Sequence, residues 1–336
     1  MNTEIQRIKY NPDDYLYSTA NIHALENSII SYPDFVRMAQ AQSETDVLGM
    51  LSELGVNLSH DYESELDRML CDAYDSMQKL CPNPEFVRIF RYIYDCHNVK
   101  SIIKSEFCSA APQPLLFDIG SVDKETLVTS VRERRYTVLP HNMAIACEKA
   151  YELYAKTGDP QHIDAELDSA CYKDMLELAE STGNGFYIGL IRTKIDIANI
   201  LTTVRIIRMS DESIDAAYLR KMLICGGKLD AEMFVSSFYD GESALWGKLA
   251  STDFCAVANE MDSQNSYSLT KLETSLEKYQ TEYVKKAKYI LAGPEAVCAY
   301  LLGTENEVKN IRIIITGKRS GLDPDTIKER LRESYV

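Results

Sequence analysis

A short pattern recurs three times along this chain, and a sequence that repeats at about a hundred residues folds as copies of one unit. The pattern is an acidic residue, two intervening positions, asparagine and a β-branched residue. It occurs as Asp95-Cys96-His97-Asn98-Val99, Asp196-Ile197-Ala198-Asn199-Ile200 and Glu307-Val308-Lys309-Asn310-Ile311. The asparagines stand 101 and 111 residues apart. A second marker precedes each one: Leu66-Asp67, Leu167-Asp168 and Leu272-Glu273, whose leucines lie 32, 32 and 38 positions ahead of the asparagine. Two markers at one offset in two copies are a poor match for chance, and the third copy carries six extra residues. Three similar helical segments follow: 1–110, 111–210 and 211–336.

Each copy reads as helix, turn, helix. The breakers are Pro82-Asn83-Pro84, Gly183-Asn184-Gly185 and Gly293-Pro294, and the longest helix of the copy follows its breaker and carries the acid–asparagine pair. In the second copy Ile188, Ile191, Ile195, Ala198, Leu201 or Thr202, and Arg205 trace a 3.6-residue stripe. Ile311 to Ile315 has the β-branched composition of a strand, but its alignment with Ile200 to Ile206 predicts helix. Capping chemistry is helical elsewhere too. Asn11-Pro12-Asp13-Asp14 opens a helix with Tyr15, Ile22, Leu25 and Ile29 on one face. Ser43-Glu44-Thr45-Asp46 opens another, with Val47, Leu51 and Leu54 inward and Gly55 as its stop. Asp323-Pro324-Asp325 caps a last helix running to about Val336, and candidate joints lie at 110–114 and 210–213. The expected fold class is all-α.

Composition agrees. Only 15 Gly and 10 Pro in 336 residues leave few breakers, and 45% hydrophobic residues suffice for a core. With 36 basic against 51 acidic residues the net charge is −15, the wrong sign for a nucleic-acid binder. The charge is uneven: from Leu269 onward twelve basic residues face ten acidic ones, so the rest of the chain holds the acidic excess. Nine cysteines, an odd number with no C-x-x-C pair and no signal peptide ahead of them, read as reduced and mostly buried thiols of a cytoplasmic protein. No charge-free run approaches the roughly 18 residues of a membrane span.

Chemistry is scarce. Thr316-Gly317-Lys318-Arg319-Ser320 lacks the first glycine and the final Ser or Thr of a phosphate loop, with Arg312 and Arg319 in their places. Gly183, Gly185 and Gly189 are one residue too long for a dinucleotide fingerprint and join two helical patterns. His23 and His60-Asp61 imitate the order of a metal phosphohydrolase, but Cys96-His97 and His141 add no helical ligand spacing. No catalytic, cofactor-binding or metal-binding residue emerges. The pairs Asp95/Asn98, Asp196/Asn199 and Glu307/Asn310 have two readings. At i and i+3 they share a helix face and can bridge to a neighbouring helix end or loop. Alternatively they are buried polar pairs that fix how helices cross, which threefold repetition favours over catalysis.

The run from Tyr15 through Ala20, then Ala24-Leu25-Glu26 to Ile30, carries a family resemblance. So do Asp196 to Ile200 and the stretch Gly293-Pro294-Glu295, Ala299-Tyr300-Leu301-Leu302, Glu307, Asn310, Ile311 and Arg312. Over essentially its full length the chain resembles the C subunits of bacterial and archaeal V/A-type ATPases, related to the d subunit of the eukaryotic vacuolar enzyme. Glu307 departs from the Asp of the other two copies. The resemblance implies a funnel of three similar helical subdomains without an active site, cofactor or small-molecule substrate. It implies a rotor part at the cytoplasmic face of the plasma membrane, joining the D and F shaft subunits to the membrane rotor ring of c or K subunits. Tyrosines, 21 in all, suit broad partner contacts, though most read as core and rim packing. A free helical-repeat scaffold and a metal-dependent hydrolase built on His23, His60 and Asp61 are the other readings.

Overall fold

The computed structural model describes residues 7–59, 61–108, 116–209, 214–264 and 266–336. Among them are sixteen α-helices and no strand. Ahead of the Pro82-Asn83-Pro84 breaker lie α1 (Leu16–Glu26), α2 (Tyr32–Ala39), α3 (Glu44–Glu53) and α4 (Tyr62–Leu80). Next come α5 (Glu85–Cys108), α6 (Lys124–Arg132), α7 (His141–Thr157) and α8 (Gln161–Thr182). They are followed by α9 (Gly185–Met209), α10 (Ala216–Met222), α11 (Ala231–Asp240) and α12 (Glu242–Leu249). The last four are α13 (Cys255–Asp262), α14 (Leu269–Lys285), α15 (Glu295–Arg319) and α16 (Pro324–Arg330). The chain divides into two compact units: Met1–Lys9 with Pro84–Leu245, and Tyr10–Asn83 with Trp246–Val336.

In the first unit α8 packs against α5, α7 and α9. Phe86 and Phe90 of α5 meet Tyr187 of α9 at ring separations of 4.8 and 5.8 Å, within the range of favourable aromatic pairs. Lys100 and Lys104 of α5 reach Asp168 and Asp164 of α8 at 2.7 and 2.6 Å. Pro140 cannot cap α7 with a side chain. Buried Asp174 of α8 does so instead, accepting from the N–H groups of Asn142 and Met143 at 3.0 and 2.8 Å. The Gly-Asn-Gly breaker does two jobs. Gly183 ends α8 in the left-handed region at φ +67°, and Asn184 Oδ1 accepts from the N–H groups of Phe186 and Tyr187 to start α9.

In the second unit α15 is central, packed against α1, α2, α3, α4, α14 and α16. Arg312 pairs with Glu63 and Asp67 of α4, and Arg319 pairs with Glu44 of α3 while its guanidinium lies over the Tyr62 ring. The segment Thr316 to Ser320 is therefore the end of this helix, and Lys318 Nζ donates to the Ala39 carbonyl at 2.6 Å. Leu66, Leu167 and Leu272, the second markers, are fully buried on α4, α8 and α14.

Local signals placed most helix starts correctly. Asn11 caps a single 3₁₀ turn, Pro12–Tyr15, ahead of α1, and Ser43 and Asp46 form a full capping box on α3. Ile311 to Ile315 is helical, within α15. Four expectations need correction. The last helix stops at Arg330 because the next backbone is held extended by a side chain, as described below. Leu25 and Leu54 are 36 and 37% exposed: the buried stripe of α1 continues from Ile22 through Glu26 instead of Leu25, and Leu54 is the C-cap residue just past α3. On α9, Ile191 and Ile195 are buried, but Ala198, Leu201, Thr202 and Arg205 line an open groove. That helix is enclosed over most of its girth, so periodicity does not single out one inner face. The joints expected at 110–114 and 210–213, and His60, lie outside the described residues.

Five cysteines, Cys81, Cys96, Cys147, Cys171 and Cys298, are buried thiols outside any disulfide, while Cys71 is half-buried and Cys225 and Cys255 are exposed. Burial pushes the Cys147 thiol up to about 12.

Candidate functional site

Each acid–asparagine pair sits on a long helix: Asp95 and Asn98 on α5, Asp196 and Asn199 on α9, Glu307 and Asn310 on α15. Four of the six side chains are fully buried, and Asn199 and Glu307 are 4% exposed. Buried amides and carboxylates must find partners, and all three asparagines find the same kind. Asn98 Nδ2 donates to the Phe117 carbonyl and its Oδ1 accepts from the Phe117 N–H, both at 2.9 Å. Asn199 makes the same two bonds to Ile224, both at 2.8 Å. Asn310 makes them to Arg332, at 2.9 Å to the carbonyl and 2.7 Å from the N–H. In each case one amide imitates a strand partner for one residue of an extended segment. This clamp holds Arg332 out of helix and so ends α16 early.

The acids differ. Asp95 accepts from the Ser121 hydroxyl and, at 3.2 Å, from the Val122 N–H. Asp196 accepts from the N–H groups of Lys228 and Leu229 at 3.0 and 3.1 Å. In both, the carboxylate closes the turn that follows its own asparagine clamp. Burial pushes the Asp95 carboxyl up, against the pull of the Ser121 and Val122 bonds and the nearby Arg91 charge. Arg91, one turn earlier on α5, donates to the Ile119 and Gly120 carbonyls of the same turn. Glu307 instead takes the Ile30 N–H at 2.9 Å, from the turn between α1 and α2. Ser334 donates to the Ile30 carbonyl at 3.0 Å, so Ile30 is gripped at both backbone groups. Burial raises the Glu307 carboxyl to about 7, and its one bond from Ile30 opposes the rise only in part.

The six positions stand out in the sequence by their recurring pattern, but what their side chains hold does not show there. The turns after the first two clamps match residue for residue: Phe117, Gly120, Val122 and Asp123 against Ile224, Gly227, Leu229 and Asp230. Asp123 and Asp230 then cap α6 and α11. The glycines are required by contact. A Cβ on Gly120 would stand 2.3 Å from Asp95 Oδ1, and one on Gly227 would stand 2.1 Å from Asp196 Oδ1. The signal was an apolar-x-x-Gly-x-apolar-Asp run, hidden because it begins 19 residues after Asn98 but 25 after Asn199.

The three pairs do not converge on one centre. Two lie in the first unit and one in the second, and each faces its own backbone segment. Their chemistry is fastening. A carboxylate occupied by two donors, as Asp95 and Asp196 are, is committed to its turn. His23 Nδ1 and Glu26 Oε2 of α1 lie 2.7 Å apart. Among the described residues no group of three His, Cys, Asp or Glu side chains gathers in a way that could hold a metal ion. No helix among them is long and apolar enough to cross a membrane.

A model of the ATP synthase (C/AC39) subunit family matches residues 18–330. The chain belongs to that family, the C subunits of the V/A-type ATPases. It is 25% identical over 322 residues to the C subunit of the V-type sodium ATPase of Enterococcus hirae, covering 94% of this chain and 97% of that protein. It is 24% identical over 344 residues to the C subunit of the A-type ATP synthase of Thermococcus kodakarensis, covering 97 and 92%. For the C subunit of the A-type ATP synthase of Methanosarcina barkeri the identity is 23%, with 96 and 94% covered. The segment matched by the C/AC39 family runs from inside α1 to the end of α16 and includes all six acid–asparagine positions.

Proposed function

We propose that this chain is a non-catalytic central-stalk subunit of a V/A-type rotary ATPase or ATP synthase. In this reading it couples a shaft of D and F subunits to the membrane rotor ring of c or K subunits, for proton or sodium transport. It works as a peripheral subunit on the cytoplasmic face of the plasma membrane, and its chain is three helical repeats, 1–110, 111–210 and 211–336. The observation that carries this reading is the family match across residues 18–330, with relatives named as C subunits aligned over more than nine-tenths of their length.

Physical features support a coupling role. A part that transmits torque must resist bending, and the helices bearing the pairs are the longest here, at 24, 25 and 25 residues. Each is tied to a non-helical segment by two hydrogen bonds of one asparagine amide, which resist sliding better than apolar packing, which has no direction. The acidic excess before residue 269 offers a surface for a basic shaft.

The test is capture of purified D and F subunits by this protein, repeated with detergent-solubilised rotor ring. Simultaneous binding of both is the expected result. A folded protein that captures neither overturns the reading and leaves a free helical scaffold. Reversing charge on the acidic surface should slow shaft association and flatten its salt dependence.

A further inference from the structure

Among the acid–asparagine pairs, the one on α15 is set apart by a single atom. Both oxygens of Asp95 and both of Asp196 accept hydrogen bonds from their turns. Glu307 gives Oε1 to Ile30, and no described residue donates to Oε2. The side chain is only 4% exposed, yet it lines a cavity of about 470 Å³ between α4, α15, the α1–α2 turn and the segment after α3. Oε2 opens onto that cavity, and a nearly buried carboxylate with one oxygen lacking a protein donor is stabilised by a cation or donor that meets it there.

We propose that this cavity receives a basic side chain of a partner polypeptide, whose ammonium or guanidinium group bonds Glu307 Oε2. The lining fits such a guest. Leu54, Val56 and Met69 offer apolar wall to a long methylene stem, and Asp72 offers a second carboxylate for the charged head. The other charged and titratable groups of the lining are Glu65 and Arg68 on α4 and Tyr300 on α15. Glu65 already accepts from the Ser59 N–H, and exposed Arg68 makes no ion pair among the described residues. Three carboxylates against one guanidinium favour a cation over an anion. The guest would supply from outside what the 121–122 and 228–229 turns supply to the other two acids.

Burial sets the pH at which the site works. With its carboxyl near 7 in the free protein, Glu307 is ionised at pH 8 and neutral at pH 5.5, so a cation is held at the higher pH and released at the lower.

The test uses the full-length protein with ¹³C-methyl methionine, titrated with acetyl-Gly-Arg-Gly-amide and acetyl-Gly-Lys-Gly-amide while the Met69 methyl signal is followed. The expected result is a saturable Met69 shift at pH 8, at least tenfold weaker at pH 5.5 and lost in E307Q, with no response to acetyl-Gly-Gln-Gly-amide. No shift with either basic peptide, or an undiminished one in E307Q, overturns the proposal. An equal response to sodium or calcium chloride at matched ionic strength also overturns it, making this an inorganic cation site. If E307Q does not fold, the pH series on the native protein and on D72N decides. A two- to threefold loss in D72N with release at pH 5.5 supports the basic guest, and binding unchanged by both overturns it.

Discussion

Asp196 and Glu307 occupy one pattern on two 25-residue helices, yet one is closed by its own neighbourhood and the other by a distant strap. Asp196 receives both donors from residues 32 and 33 positions downstream, on a turn that Gly227 lets come close. Glu307 receives its donor from Ile30, 277 positions away in sequence. Local closure brings two bonds for a short loop, whereas the long-range strap brings one and leaves an oxygen facing a cavity. The same side-chain pattern thus gives a finished joint in one unit and a half-finished, titratable one in the other.

The sharpest way to break the finished joint is through its glycine. In Gly227→Ala the new Cβ would stand 2.1 Å from Asp196 Oδ1, so turn and carboxylate must part and both bonds are lost. We expect a loss of about 4 kcal/mol, from overpacking and two orphaned buried groups together. Gly120→Ala should behave alike, its Cβ meeting Asp95 Oδ1 at 2.3 Å. Gly49→Ala, exposed on α3 with nothing near its Cβ, is the control and should stabilise by about 0.5–1 kcal/mol. Denaturant midpoints at constant m-value read all three, and an unchanged midpoint for Gly227→Ala would show that the turn is not held by Asp196.

The half-finished joint should announce itself through pH. Glu307 titrates at about 7 in the folded chain against an ordinary 4.5, so between those values the folded state binds more protons. Stability is then full below 4.5 and lost as pH rises through 7, by roughly 3 kcal/mol if the whole shift is expressed. Asp95, also raised by burial, adds a slope of the same sign, so the informative quantity is the difference between native protein and E307Q. E307Q keeps an acceptor for Ile30 and carries no charge. It should be more stable than the native protein above pH 7 and equal to it near pH 4, and parallel pH profiles would refute the assignment.

How much of this was readable beforehand follows from where the physics is local. Ser43 and Asp46, Asn11 and Pro12, and Gly183 with Asn184 act within four residues, so sequence alone placed those helix ends. The pairs themselves were legible because they repeat. Their targets were not, since Phe117 and Ile224 follow at unequal distances and Ile30 precedes Glu307 by most of the chain. The end of α16 failed for the same reason: nothing near Leu331 announces that Asn310 will pull the next residue straight. Leu25 and Leu54 show a different error: the buried stripe of α1 steps four residues from Ile22 to Glu26 instead of three to Leu25, and Leu54 lies just past the end of α3.

Amide replacement separates the two acids by sign. In Asp196→Asn one acceptor oxygen becomes an NH₂ group facing either the Lys228 or the Leu229 N–H, so donor meets donor in a buried site. A loss of about 2 kcal/mol is expected at pH 7, the scale of one buried group left without its partner. The matching change at Glu307 stabilises at that pH. If both amides destabilise equally, the two joints are the same and the contrast between them fails.

The smallest effect tests whether the strap is gripped from both sides. Ser334 Oγ donates to the Ile30 carbonyl at 3.0 Å while Glu307 accepts from the Ile30 N–H, and both Ile30 and Ser334 are buried. Ser334→Ala removes one donor and leaves a buried carbonyl with less than its share, which costs about 1 kcal/mol. The two grips act on one peptide residue, so the losses in Ser334→Ala and Glu307→Ala should not add. A double-mutant cycle should return a coupling above about 0.5 kcal/mol, the usual limit for independent sites. Strict additivity would mean that Ile30 is positioned by apolar packing of its side chain, and that Glu307 merely borrows an N–H already in place.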